Sequence, residues 1–244
     1  MSTVAARSAE RTMNAGEAPH RLDWPRIERD LDAEGHALLP GFFDAAQARA
    51  FRAGLDAAAG GACLFDDVPA GEGLDVPLSA MWPGFLVRAR EGLALGLAPI
   101  AARWRSFLDG ERDDDANPAS IEGRASDEGP CARSHLCLLR AGERRPLQPA
   151  SGRDAQHSPF VLVALLSEPG RDFTGGELVM TERRPRMQSR PIVLPLRLGD
   201  AALVAAGPRP CRGTHGVYRA HLRQAVGRVR SGERLGLWLR LDGR

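Results

Sequence analysis

A mainly β, α+β fold is what this sequence predicts: an antiparallel sandwich or barrel with helices layered on one outer face. Three observations predict it. Helical periodicity is confined to the first 108 residues, and from residue 134 onward seven short apolar runs follow one another. Between those runs stand EPG, TGG, RRP, LGD, GPRP and SGE, all of them turn vocabulary. At 244 residues the chain suits one domain with an N-terminal extension. The expected organisation is a disordered tail over 1–20 and a single domain over 21–244. Within the domain, 21–108 is a helical support layer, 109–133 an acidic loop and 134–244 the strand core. No internal repeat is present.

The first element, DWPRIERDLDAEG (23–35), has Asp23 to cap it, Pro25 in its first turn and Gly35 to end it. Trp24, Ile27 and Leu31 fall on one face. HALLPGFF (36–43) follows as a short strand. Asp44 then caps a second helix with Ala48, Phe51 and Leu55 in register, and a third helix over about 86–108 aligns Leu93, Leu97, Ile100, Trp104 and Phe107. The acidic stretch 109–133 has no apolar period and reads as an exposed loop. Strands are expected at 134–140, 159–167, 176–182, 191–196, 201–206, 216–226 and 234–241, with a turn at Ser231–Gly232. Gly175, Gly176 and Gly199 serve turns.

Composition excludes several functions. No apolar run is long enough to span a bilayer, and the start MSTVAARSAERTMNAGEAP has no secretory core. The four cysteines form no CxxC pair, which points to a reducing cytoplasm. All 33 basic residues are arginine, so no lysine is present to form a Schiff base. Residues 1–170 carry 18 Arg against 25 acids and residues 171–244 carry 15 against 6, which makes the C-terminal third basic. That third contains only Tyr218 and Trp238 as aromatics after Phe173, so nucleic-acid binding by base stacking is not expected. GTHG lacks the strand-to-helix setting of a nucleophile elbow, and no helix follows TGGEL as a phosphate loop requires.

More specific signals lie in LLSEPGRDFTGGELVMTERRPRMQSR (165–190), PLRLGDAALVAA (195–206), RPCRGTHGVYR (209–219) and VGRVRSGERLGL (226–237). Together with DWPRIERDLDAEGHALLPGFF near the start, these resemble the iron(II)/2-oxoglutarate-dependent oxygenases, in a bacterial branch related to the prolyl-hydroxylase type. The likeness covers about 23–60 and 134–244. It implies a double-stranded β-helix, or jelly roll, that holds iron through a His-x-Asp pair and a distal His. In such a site residues i and i+2 on a strand supply two ligands, a facing strand supplies the third, and 2-oxoglutarate and oxygen take the open positions. An arginine beyond the distal His would grip the far carboxylate of 2-oxoglutarate.

This chain departs from that pattern. Registered on LLRAG (138–142), the His-x-Asp positions fall at Ala150 and Gly152, within one residue or so, and no His-x-Asp occurs anywhere. The distal position is Gln224. The arginine persists as Arg234, with Gly236 two residues on and Trp238 projecting into the volume of the implied site. The sequence therefore reads as a degenerate, non-catalytic binding or regulatory protein, expected to carry neither Fe(II) nor 2-oxoglutarate as a working cofactor. Arg234 is the candidate anchor for 2-oxoglutarate or another small carboxylate, and Trp238 the pocket filler. Internal pairing of Arg234 with Asp200 or Glu177 is the competing reading, and a protein partner is the competing ligand. The alternative function is an active dioxygenase using non-standard ligands drawn from Asp154, His157 and His221, with His135 and His215 as further histidines.

Overall fold

The computed structural model describes residues 22–59, 71–78, 83–108, 134–149, 158–184, 188–213 and 216–241. The tail over 1–20 and the acidic loop over 109–133 lie outside the described residues. Helix α1 (Trp24–Glu34) starts where the Asp23 carboxylate accepts from the Arg26 N–H at 3.0 Å. It ends at Gly35, whose φ of 73° lets its N–H reach the Leu31 carbonyl. Helix α2 (Ala45–Ala59) opens with a reciprocal cap. Gln47 N–H donates to Asp44 Oδ1 at 2.7 Å, and Asp44 N–H donates to Gln47 Oε1 at 2.9 Å. Helix α3 (Gly84–Leu108) buries Leu86, Leu93, Leu97, Ile100 and Trp104. A Cβ at Gly96 would lie 2.0 Å from the Trp24 ring, so the glycine is what lets α1 dock there.

Among the described residues twelve strands form two antiparallel sheets. The larger has the order β1-β9-β5-β12-β3-β2, with β6 (Phe173–Gly175) also on β12. Its members are β1 (His36–Leu39), β2 (Leu74–Pro77), β3 (His135–Arg140), β5 (Phe160–Leu165), β9 (Ala201–Ala205) and β12 (Val229–Arg240). The smaller sheet runs β10 (Pro208–Gly213), β11 (Gly216–Val226), β7 (Leu178–Arg183), β8 (Arg190–Leu194), and β4 (Arg145–Pro149) also pairs with β11. Trp104 of α3 packs on Phe160 of β5 at 4.7 Å between ring centroids, which puts the helix layer on the outer face of the larger sheet. Register assigns Leu162, Ala164, Leu235, Leu237 and Leu239 to that same face. The opposite face looks at the smaller sheet. Two antiparallel sheets with helices on one side make the jelly roll with an N-terminal helix layer that the sequence predicts.

Residues 21–108 supply the strand β1 that the sequence predicts and also β2, and these form the two edges of the larger sheet. One expectation needs correcting: Ser231 and Gly232 do not form a turn, since both lie inside β12 and the chain reverses at Gly227–Arg228. Gly232 has a φ of 76°, and a Cβ there would meet the Asp172 carbonyl at 1.9 Å. The residue allows β6 to pair closely rather than turning the chain.

The smaller sheet is tied to α1 by a buried ion pair. Arg209, 1% exposed, donates to Glu182 Oε2 at 2.9 Å and to the α1 carbonyls of Asp32 and Ala33 at 2.8 and 3.1 Å. Arg184 takes the other Glu182 oxygen. Burial alone would raise the Glu182 carboxyl, but the two guanidiniums outweigh it and hold it below its ordinary value. Its stabilisation is therefore present above the usual carboxylate range and is lost as pH falls through the lowered value. Arg209→Met should cost about 3 kcal/mol in urea unfolding at neutral pH, because it strands a buried carboxylate and two helix carbonyls. A cost under about 1 kcal/mol would mean that the pair does not anchor α1.

Candidate ligand site between the sheets

The faces that meet between the sheets are set by register. On the larger sheet Trp238 stands opposite His135, Gly236 opposite Cys137 and Arg234 opposite Leu139, while Asp75 on β2 stands opposite Cys137. Residues directly opposite on paired strands share a face, so Asp75, His135, Cys137, Arg234, Gly236 and Trp238 all look inward. Arg145 joins them from β4. It donates from Nε to the Cys137 sulfur at 3.4 Å and from Nη2 to Asp75 Oδ1.

Arg234 is 2% exposed. Its Nε donates to the Gly176 carbonyl at 2.8 Å, and Nη1 is buried without a partner. A Cβ at Gly176 would lie 2.9 Å from Arg234 Cδ, so Gly176 makes room for the side chain as well as accepting from it. Neither acid expected to pair with Arg234 does so. Asp200 accepts from the backbone N–H groups of Gly41 and Arg197, and Glu177 is exposed. Burial pulls the guanidinium down to about 10, against the opposing pull of Cys137 and Glu177, so it keeps its charge at neutral pH.

Trp238, 7% exposed, lies flat on His135, with ring centroids 5.7 Å apart and planes 6° apart. A Cβ at Gly236 would meet Arg234 Nη1 at 2.8 Å and Trp238 Cζ3 at 2.9 Å. The indole and the guanidinium therefore converge over Gly236. Gln224 is 4% exposed, and both its amide oxygen and its amide nitrogen lack partners. The second Asp75 oxygen is unpartnered as well. Buried polar atoms without partners are uncommon in folded proteins, and their gathering on this face marks it as a place where a polar group belongs.

Of the other residues singled out from sequence, Ala150, Gly152, Asp154, His157 and His215 lie outside the described residues. His221 is three residues from Gln224 and half-buried, on the opposite face of β11. Sequence reasoning missed Asp75, Arg145 and Gln148. Gln148 stands directly opposite Gln224 across the β4–β11 ladder. Side chains so placed start about 5 Å apart, close enough to share one ligand.

The family-implied iron does not fit the donors described on this face. Asp75 is already held by Arg145, and burial pushes the Cys137 thiol up to about 12, which keeps it protonated. Gln148 and Gln224 offer only neutral amides. Among the described residues no group of three His, Cys, Asp or Glu could hold a metal ion. A carboxylate does suit Arg234, whose free Nη1 calls for an acceptor.

A family model described as "Oxygenase, catalysing oxidative methylation of damaged DNA" matches residues 78–242, more than half of the chain. The chain belongs to this oxygenase family. Its fold is also that of the wider 2-oxoglutarate/iron(II) oxygenases. A prolyl-4-hydroxylase from Pseudomonas putida is 16% identical with a TM-score of 0.54, covering 90% of this chain and 100% of that one. A prolyl 4-hydroxylase from Phytophthora capsici is 16% identical with a TM-score of 0.57, covering 96% and 68%. The 2-oxoglutarate-dependent carbocyclase SnoK from nogalamycin biosynthesis is 12% identical with a TM-score of 0.56, covering 91% and 85%. An uncharacterised protein of Mycobacterium tuberculosis is 37% identical over 81 residues, 33% of this chain and 35% of that protein. The match thus spans about a third of that relative's length. No described helix of this oxygenase family member is long and apolar enough to cross a membrane.

Asp75 is buried and holds Arg145 from the facing sheet. Asp75→Asn should therefore lower stability by about 3 kcal/mol, and Asp75→Asn with Arg145→Met should recover most of the loss. Urea unfolding of the single and double variants measures this. A double-variant loss equal to the sum of the Asp75→Asn and Arg145→Met losses would show that the pair is not coupled.

Proposed function

We propose that this oxygenase-family member holds a small carboxylate on Arg234 without iron chemistry, and acts as a binding or partner-regulating protein. One observation carries this reading. Arg234 is buried, meets no carboxylate among the described residues, and keeps an unpartnered nitrogen. An arginine cannot shed its proton at neutral pH, and an uncompensated buried charge costs several kcal/mol, so an anion belongs beside it.

The β4–β11 register further supports Gln148, Ala150 and Gln224 as the positions of the lost iron ligands. This moves the pair two residues from the Ala150 and Gly152 that the loop length suggests. Gln148 and Ala150 are i and i+2, and Gln148 faces Gln224. Trp238, lying beside Arg234, fills part of the same space on this reading. Without a metal to chelate it, 2-oxoglutarate would keep only its grip on Arg234 and bind weakly, at about millimolar Kd. The family description names damaged DNA. For this chain a nucleic-acid substrate would need the missing oxygenase chemistry, so binding alone is the reading favoured.

Thermal shifts of wild type and Arg234→Met against a panel of dicarboxylates test the proposal. Wild type should be stabilised by at least one acid and the variant by none. No shift with any acid ends the reading. Stabilisation should hold from neutral pH upward and fade above about pH 10, where Arg234 loses its proton.

A second test rebuilds the metal site with Gln148→His, Ala150→Asp and Gln224→His. Iron binding, read by metal analysis after dialysis, should stay poor until Trp238→Gly is added. Equal iron content with and without the Trp238 change would reject the filling role. Stoichiometric iron in wild type, with succinate formed from 2-oxoglutarate, would favour the active dioxygenase.

A further inference from the structure

We propose a second ligand site, between the helix layer and the β10–β11 hairpin, that takes a small molecule carrying an oxyanion on a flat ring. It is separate from the inter-sheet site, and the proposal does not depend on the reading of Arg234. A cavity of about 620 Å³ opens there, bounded by α1, the end of α3, Arg184 and the two hairpin strands. Small-molecule sites commonly enclose about 300–1,000 Å³.

Its charge is unbalanced. Both oxygens of Glu182 are taken, one by Arg184 and one by Arg209. Arg184 reaches Glu182 through Nε alone, so its two terminal nitrogens carry no bond among the described residues. Arg103 divides between Glu28 and Asp32 at 3.0 and 2.8 Å. Arg29 and Arg212 stand exposed at the rim with no acidic partner among the described residues. Five guanidiniums thus meet three carboxylates in a partly enclosed space, which favours an anion. Guanidinium forks match carboxylate and phosphate oxygens in particular.

Rings surround those charges. Trp104 forms part of the wall and is fixed from two sides, since its Nε1 donates to Asp32 at 2.8 Å and its ring packs on Phe160. Phe107 and Tyr218 line the same cavity, half-buried. Tyr218 lies over Gly213, where a Cβ would come within 3.1 Å of the ring. A flat group entering here finds aromatic surfaces, with arginine side chains able to meet its charge.

The test is calorimetric titration of the full chain at low salt with 1-naphthyl phosphate, 1-naphthoate and inorganic phosphate. At least one ring-bearing anion should bind about tenfold more tightly than inorganic phosphate, and the tighter of the two identifies the oxyanion. The surface double variant Arg29→Gln/Arg212→Gln should fold normally and weaken that binding by about fivefold. Arg184→Gln should weaken it further, and Arg234→Met should leave it unchanged. Two results would overturn the proposal: neither ring-bearing anion binding better than inorganic phosphate, or binding lost in Arg234→Met and intact in Arg29→Gln/Arg212→Gln.

Discussion

A guanidinium that keeps its charge at neutral pH is buried between the two sheets, and the interior around it is built to contain that charge. Arg234 needs space, which Gly176 and Gly236 give by lacking a Cβ. It needs acceptors, and the Gly176 carbonyl supplies one. The buried carboxylate on the same face, Asp75, is engaged by Arg145. A core of leucines faces the helices on one side of the larger sheet, while its other side carries Asp75, His135, Cys137 and Arg234. That contrast makes the inter-sheet space a candidate site.

Two buried arginines illustrate opposite solutions. Arg209 is fully paired in charge: it meets Glu182 and two α1 carbonyls, and its role is to fasten a helix to a sheet. Arg234 is just as buried but meets no carboxylate among the described residues. Ion pairing in the first case and its lack in the second separate a structural arginine from a candidate ligand anchor. The cavity beside Arg209 extends the comparison. There the buried pair forms one wall, and the surplus charge comes from Arg184 and the rim.

Much of this was legible in the sequence. Helix caps at Asp23 and Asp44 and the run of apolar strands predicted the layer and the two sheets, because capping and alternation are local signals. Alternation along RLGLWLR also put Arg234, Gly236 and Trp238 on one face, which the register of β12 reproduces. The short strands escaped notice for a physical reason. β4 and β10 carry prolines and little apolar alternation, and β2 and β6 have only four and three residues, so pairing rather than propensity defines them. Asp75, Arg145 and Gln148 went unseen for the same cause. Asp75 and Arg145 meet each other from 70 residues apart, and Gln148 meets Gln224 only across a ladder.

The most direct measurement is calorimetric titration of 2-oxoglutarate into the purified chain, with a chelator in one arm and anaerobic Fe(II) in excess in the other. A metal-independent arginine site predicts the same weak affinity, about millimolar, in both arms. Tightening by about tenfold or more when iron is present would contradict it, because only chelation to a bound metal could supply that gain.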